Sequence, residues 1–258
     1  MPIICFQGIQ SGVGTSTILA NVARDLQILN QDVVIFDLNP NNLLRLHFNM
    51  EWRNPSGWAR AELKKQIWHE AGYICEKGVN FIPYGSVTYD EQQIIERTLI
   101  HKGWLSSKLD LLNTSDKKWI LLNVESRLSN VNIQAMSYAD KIIRVLEPNT
   151  TCLAQLYESI QSNYFNDHDE LNNKSFYLIN KIMPLSELDS ELSLVLKSCI
   201  SNKLIPVKLH FDENTKECLA QKNTIQYYAP NSAAAKEIRT LTSWLILQYD
   251  KLVSHERV

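Results

Sequence analysis

Short apolar, β-branched runs alternate along this 258-residue chain with longer stretches in which apolar residues recur at helical spacing. The runs Ile3 to Gln7, Val33 to Asp37, Val79 to Pro83, Trp119 to Val124, Lys141 to Leu146, Phe176 to Asn180 and Leu204 to Leu209 read as strands. Thr15 to Leu29, Gly57 to Ala71, Glu91 to Leu112, Thr150 to Tyr164, Leu188 to Ser201, Glu213 to Gln221 and Ser232 to Lys251 read as helices. That alternation predicts an α/β fold: a doubly wound, mainly parallel sheet with helices on both faces. No repeat, low-complexity tract or long linker interrupts it, so one domain over 1–258 is expected.

In such a sheet the ligand sits beyond the carboxyl ends of the strands. The first of these ends is a glycine-rich turn, Gly8-Ile9-Gln10-Ser11-Gly12-Val13-Gly14-Thr15-Ser16-Thr17, set between a strand and a helix. Gly12 and Gly14 let the backbone turn tightly. The free amides of the residues that follow and the positive end of the helix dipole then face whatever occupies the turn, which suits a phosphate. A phosphate-binding loop ordinarily ends Gly-Lys-Ser/Thr, its lysine reaching the outer phosphates and its hydroxyl reaching Mg²⁺. Here the order is Gly14-Thr15-Ser16, so the hydroxyl of Ser16 is kept and the lysine is not. Thr17 adds a further hydroxyl beside the phosphates.

Three later strand ends add chemistry. Asp37 closes Val-Val-Ile-Phe-Asp, Asn123 follows Trp119 to Leu122, and Asn180 follows Phe176 to Ile179. The same glycines also fit the Gly-x-x-x-Gly-x-Gly turn of NAD(P)-dependent short-chain oxidoreductases, with Asp37 roughly where a ribose carboxylate falls. Tyr177-x-x-x-Lys181 imitates the catalytic pair of that family. The pair needs a helix to bring both side chains to one face, whereas Phe176-Tyr177-Leu178-Ile179 reads as a buried strand, so the phosphate-loop reading is preferred.

The turn resembles the deviant loop of MinD and ParA type ATPases, Lys-Gly-Gly-Val-Gly-Lys-Thr-Thr, with both lysines replaced, by Gln10 and Thr15. The segments 37–49 and Gly57 to Leu63 extend the likeness, as do Phe81-Ile82-Pro83-Tyr84-Gly85, Trp119 to Leu122, Asp212-Glu213 with Glu217 to Ala220, and Ser232 to Ala235. Over nearly its whole length the chain resembles the BcsQ family, the MinD/ParA-like proteins of bacterial cellulose synthesis operons.

The resemblance implies a P-loop fold, ATP and Mg²⁺ as ligands, and a face-to-face homodimer in the ATP-bound form. It implies Asp37 as the acid that orients the attacking water near the metal, Ser16 and Asn123 beside it in the metal shell, and Asn180 at the adenine edge. Gln10, Ser11, Gly12, Val13, Gly14, Thr15, Ser16 and Thr17 would surround the phosphates. The implied partners are BcsR, BcsE and the inner-membrane cellulose synthase complex that answers to cyclic di-GMP. Loops of this family already carry Thr at the Thr15 position. Gln10, where a basic residue is usual, and Asn123-Val124-Glu125, where an Asp and a Pro are usual, depart from the family. Since losing one charge-stabilising donor commonly costs about 10²-fold or more in rate, weak or absent hydrolysis is expected. The function implied is regulation or scaffolding of cellulose biosynthesis and secretion.

Composition narrows the picture. With 26 basic and 28 acidic residues the formal charge is −2, which gives no electrostatic footprint for nucleic acid. The five cysteines are scattered without Cys-x-x-Cys spacing and read as reduced structural thiols. No apolar run approaches the roughly 20 residues of a transmembrane helix, and Met1-Pro2-Ile3 lacks a basic leader, so a cytoplasmic protein recruited to the inner membrane by partners is expected. Ile238, Leu241, Leu245, Tyr249 and Leu252 lie on one helical face that lacks a basic counterpart and is expected to pack on the sheet. Trp52, Trp58 and Trp68, with Arg45, Arg53 and Arg60, suit either a protein interface or buried core.

Overall fold

The computed structural model describes residues 1–75, 78–100, 103–112, 118–161 and 169–255. The strands are β1 (Ile3–Gly8), β2 (Val33–Asp37), β3 (Tyr73–Ile74), β4 (Asn80–Ile82), β5 (Trp119–Val124), β6 (Lys141–Leu146), β7 (Ser175–Ile182) and β8 (Leu204–His210). They form one sheet in the order β3-β4-β2-β5-β1-β6-β7-β8. Every neighbouring pair is parallel except β3 with β4. The helices are α1 (Thr15–Ile28), α2 (Trp58–Leu63), α3 (Tyr89–Thr98), α4 (Trp104–Leu112), α5 (Asn130–Tyr138), α6 (Thr150–Gln161), α7 (Asp169–Lys174), α8 (Glu187–Ile200), α9 (Glu213–Ala220), α10 (Ile225–Tyr228) and α11 (Ala233–His255).

The central strands are buried on both faces and read as continuous apolar runs, as a helix-covered parallel sheet requires. One core lies beneath α1 and α11, where Ile18, Leu19, Val22 and Leu26 meet Leu241 and Leu245. The other lies on the opposite face, under Trp58, Leu105, Leu109 and Met136. Helix α1 is enclosed along most of its length: Asn21 Oδ1 accepts from the Ile225 amide at 2.7 Å, and Thr242 Oγ1 donates to Asp25 at 3.4 Å. Tyr249 packs against the first core and Leu252 lies beyond the side chains described.

Two of the expected helices are divided. The stretch 57–71 breaks after Leu63, where Lys65 takes a left-handed φ of 54° and the Gln66 amide bonds the Ala61 carbonyl at 2.9 Å. That is the geometry in which a helix end satisfies its last carbonyls, and a short 3-10 segment, Trp68–Ala71, follows. Within Glu91 to Leu112, α3 ends at Thr98 and Gly103, at φ 97°, precedes α4. The last residues of the expected Thr150 to Tyr164 helix, 162–164, fall outside those described. Helix α5, headed by Ser129 whose side chain accepts from the Asn132 amide at 3.3 Å, was not expected.

Strand β1 stands at the middle of the sheet, and the chain leaves it toward β2 on one side and later toward β6 on the other. Its carboxyl end is therefore the switch point where a doubly wound sheet opens a crevice.

Candidate functional site

The crevice is filled by the glycine-rich turn. Strand β1 ends at Gly8, the turn passes through Gly12 at φ 85° and Gly14 at φ 92°, and α1 begins at Thr15. Non-glycine residues adopt such angles at a cost of about 1–2 kcal/mol, which is the reason glycine stands at both. Gly14 precedes the helix without a capping side chain, so the first-turn amides face the crevice free of a side-chain acceptor. Such an arrangement can accept an anion.

Neighbouring strands brace the turn. Asn180 Nδ2 in β7 donates to the Val13 carbonyl at 2.8 Å, and Lys181 Nζ donates to the Gly12 carbonyl at 2.6 Å. Ser11 and Ser126 share a hydroxyl contact at 3.1 Å. A cavity of about 240 Å³ lies on one side of the turn, against Asn39, Asn41, Glu125 and Ser126. A second, of about 180 Å³, lies on the other side, against Asn180, Leu209, Phe211 and Ile238. Gly12, Gly14 and Thr17 line both.

Register places Asp37 opposite Asn123 on adjacent parallel strands. Asn123 Nδ2 donates to Asp37 Oδ1 at 2.8 Å and lies 3.2 Å from Ser16 Oγ. The three residues so form one network beneath the first helical turn, buried at Asp37 and Asn123 and half-buried at Ser16. Asp37 is fully buried, and desolvation pushes its carboxyl up to about 7 against the opposing effects of the Asn123 amide, the Asn39 backbone and Arg45. Its second oxygen, Oδ2, finds no hydrogen-bond partner among the described residues. One hydroxyl, one carboxyl and one amide are oxygen donors of the kind that Mg²⁺ accepts, directly or through water, beside phosphate.

The segment after β2 is locked around Asp37. Arg45, nearly fully buried, donates from Nη1 to the carbonyls of Trp52 and Asn54, at 3.2 and 2.7 Å. Trp58 Nε1 donates to the Asp37 carbonyl at 2.7 Å. The Trp58 and Ala59 amides donate to Pro83 and Tyr84, both at 3.0 Å, and a Cβ on Gly57 would fall 2.2 Å from the Gly85 amide nitrogen. The sequence segments Gly57 to Leu63 and Phe81 to Gly85 are thus two sides of one close backbone contact.

Gln10, Ser11, Gly12, Gly14, Thr15, Ser16 and Thr17 surround the first cavity, while Val13 is buried beneath the turn. Asn180 borders the second cavity and also holds the turn through Val13, a task that a strand-end reading alone does not reveal. In the sequence Lys181 stands out only as half of a Tyr-x-x-x-Lys pair. The pair does not converge: Tyr177 sits in β7 with its hydroxyl accepting from Arg144 at 3.4 Å, while Lys181 rests on Gly12. This disposes of the dehydrogenase reading. The aromatic and arginine cluster is likewise divided, since Trp58, Trp68 and Arg45 are core and only Trp52, Arg53 and Arg60 reach the surface. Trp58 is apolar enough to fill the space under α2 and has its one donor satisfied by Asp37.

The family model described as cellulose biosynthesis protein BcsQ matches residues 1–246. The chain belongs to the BcsQ family. The cellulose biosynthesis protein BcsQ of Escherichia coli (strain K12) is 32% identical over 254 residues, covering 98% of this chain and 97% of the relative. Among solved structures, the septum site-determining protein MinD of Pyrococcus horikoshii complexed with Mg-ADP superposes with a TM-score of 0.75 at 18% identity, over 95% of this chain and 96% of MinD. Cobyrinic acid a,c-diamide synthase of Mycobacterium smegmatis with bound ATP analog and magnesium gives 0.72 at 14% identity, over 97% and 96%. This BcsQ-family chain therefore has the MinD/ParA P-loop fold. Among its described residues no helix is long and apolar enough to cross a membrane.

Proposed function

We propose that this chain is a nucleotide-held regulatory scaffold of bacterial cellulose biosynthesis and secretion, taking ATP with Mg²⁺ at the turn 8–17 and hydrolysing it slowly or not at all. One observation carries the reading. A phosphate cradle with both left-handed glycines and the helix start intact is bordered by Gln10, Thr15 and Asn123, none of which is charged. Backbone amides and the α1 dipole suffice to hold phosphate. Charge stabilisation at the γ-phosphate, which turnover requires, is depleted.

The two cavities meeting at Gly12, Gly14 and Thr17 suit a nucleotide laid across the turn, phosphates toward Asn39 and Ser126, base toward Asn180 and Phe211. Ser16, Asp37 and Asn123 would hold Mg²⁺, the last two through water, and the ion would supply charge neutralisation to the outer phosphates. Asp37 would orient the attacking water in whatever hydrolysis persists. The nucleotide-bound form is a face-to-face homodimer, and BcsR, BcsE and the cellulose synthase complex bring it from the cytoplasm to the inner membrane. Trp52 and Arg53, exposed, and Arg60, half-buried, beside the locked segment after β2, offer the partner surface.

Nucleotide extracted from protein purified with and without co-expressed BcsR, together with steady-state phosphate release, tests the proposal. Bound ATP or ADP and turnover far below about 1 s⁻¹, the low end of enzyme values, are expected. Turnover at that level overturns it. Thr15→Lys alone leaves turnover low, because Asn123 still occupies the metal shell.

A further inference from the structure

The turn carries no lysine of its own, yet a lysine from β7 reaches it. Lys181 follows Asn180 near the end of β7, where pairing with β8 shifts register between Ile179 and Ile182. Its φ is 59°, left-handed for a residue with a full side chain. Such angles are strained for a residue with a side chain and persist where the surroundings impose them, and register irregularities re-aim side chains in this way. The result is that the ammonium lies 2.6 Å from the Gly12 carbonyl and 3.4 Å from Glu147 Oε2.

Lys181 lines the second cavity together with Gly12, Gly14 and Thr17, the residues that also border the phosphate cavity. It stands where base and phosphate regions meet, and its side chain keeps about a third of its surface exposed. Arg144, which borders Gln10 and Ser11 on another side, donates to the Tyr177 hydroxyl. A lysine ammonium is a compact charge on a flexible stem, able to leave a carbonyl for a more negative acceptor.

We propose that Lys181 is a phosphate-binding residue of this site, its ammonium moving from the Gly12 carbonyl to the phosphates of a nucleoside polyphosphate nearest the base, in place of the positive charge that Gln10 and Thr15 do not carry. Glu147 holds it in reserve when no anion is bound. The inference rests on the nucleotide reading above.

Calorimetric titration of the full chain with Mg-ATP, ADP and adenosine tests it. Lys181→Gln is expected to weaken ATP and ADP about ten-fold or more, the loss of one charge-assisted bond, and to leave adenosine within two-fold. Lys181→Arg should recover much of the affinity. Glu147→Gln, which releases the ammonium, should tighten ATP by about two- to five-fold. Equal ATP affinity in Lys181→Gln and wild type overturns the role of Lys181 and leaves the nucleotide reading standing. If Lys181→Gln does not fold, Glu147→Gln decides, and unchanged or weaker ATP binding in it overturns the proposal. Wild-type protein that takes neither ATP nor ADP overturns both.

Discussion

Asn123 donates its amide to the Asp37 carboxyl at 2.8 Å across two parallel strands, so one oxygen of the acid at the second strand end is held by a neutral neighbour instead of by a cation. An aspartate at 123 would face Asp37 at that separation with no donor between them. Two buried carboxyl groups so close cannot both be charged without a cation. Asn123→Asp is therefore expected to destabilise the metal-free protein by about 1–3 kcal/mol, the cost of an unsatisfied buried polar contact. It should also make stability respond to Mg²⁺ with ATP more strongly than in wild type. Thermal unfolding with and without Mg²⁺ and ATP measures both, and identical responses in the two proteins would refute the assignment of this network to the metal.

Gly14 has no room for a methyl group. Its φ is 92° and an added Cβ would lie 2.6 Å from Asn180 Nδ2, the atom that holds Val13. Gly14→Ala is expected to displace Asn180, cost about 1–3 kcal/mol and abolish measurable ATP binding. Gly12, at φ 85° with open space around it, gives a contrast. Gly12→Ala pays only the backbone term of about 1–2 kcal/mol. Paired calorimetry and urea unfolding check the order, and equal losses in the two variants would argue against the Asn180 contact.

The sheet was legible because its strands are buried on both faces and stand out as apolar runs: Val33–Asp37, Trp119–Val124 and Lys141–Leu146 agree with the pattern residue for residue. Helix breaks were not, since they depend on Lys65 and Gly103 taking left-handed angles, which spacing does not encode for a lysine. The turn and its strand-end partners could be read from type and position. Lys181 could not, because its role comes from a register shift between β7 and β8 that no local pattern marks. Composition leaves Trp58 open between interface and core, and only the packing under α2 places it in the core.

That burial decides which variants can test partner binding. Trp58→Ala should cost about 3–5 kcal/mol, as for any large buried aromatic, and Trp58→Phe about 1–2 kcal/mol for the lost bond to the Asp37 carbonyl. Neither reports on a surface. Arg60 shares Glu91 at 3.3 Å in a partly exposed pair that solvent screens, and Trp52 is 57% exposed. Trp52→Ala with Arg60→Ala is expected to fold normally and to reduce co-purification with BcsR. Undiminished co-purification and cellulose output in the same strain would exclude this face.

Asp25 makes stability depend on pH in a predictable sense. Burial in α1 pushes its carboxyl from the usual 3.8 up to about 6, opposed by Arg239 and by bonds from Gln226 and Thr242. The folded state binds the proton that the unfolded state has already released, so this contribution is fully present below about pH 4 and is lost as pH rises through about 6. His47 acts in the opposite sense: burial lowers it from 6.5 to about 4, so its contribution is present above about pH 6.5 and is lost as pH falls. The two slopes oppose one another across this window, and Asp37, raised to about 7 by burial, adds to that of Asp25. Asp25→Asn removes one of them. Its stability relative to wild type should rise between pH 4 and 7, by on the order of 1 kcal/mol once partial solvent screening is allowed for. Urea unfolding of both proteins at several pH values gives the difference directly, and a difference independent of pH would place the Asp25 carboxyl at its ordinary acidity.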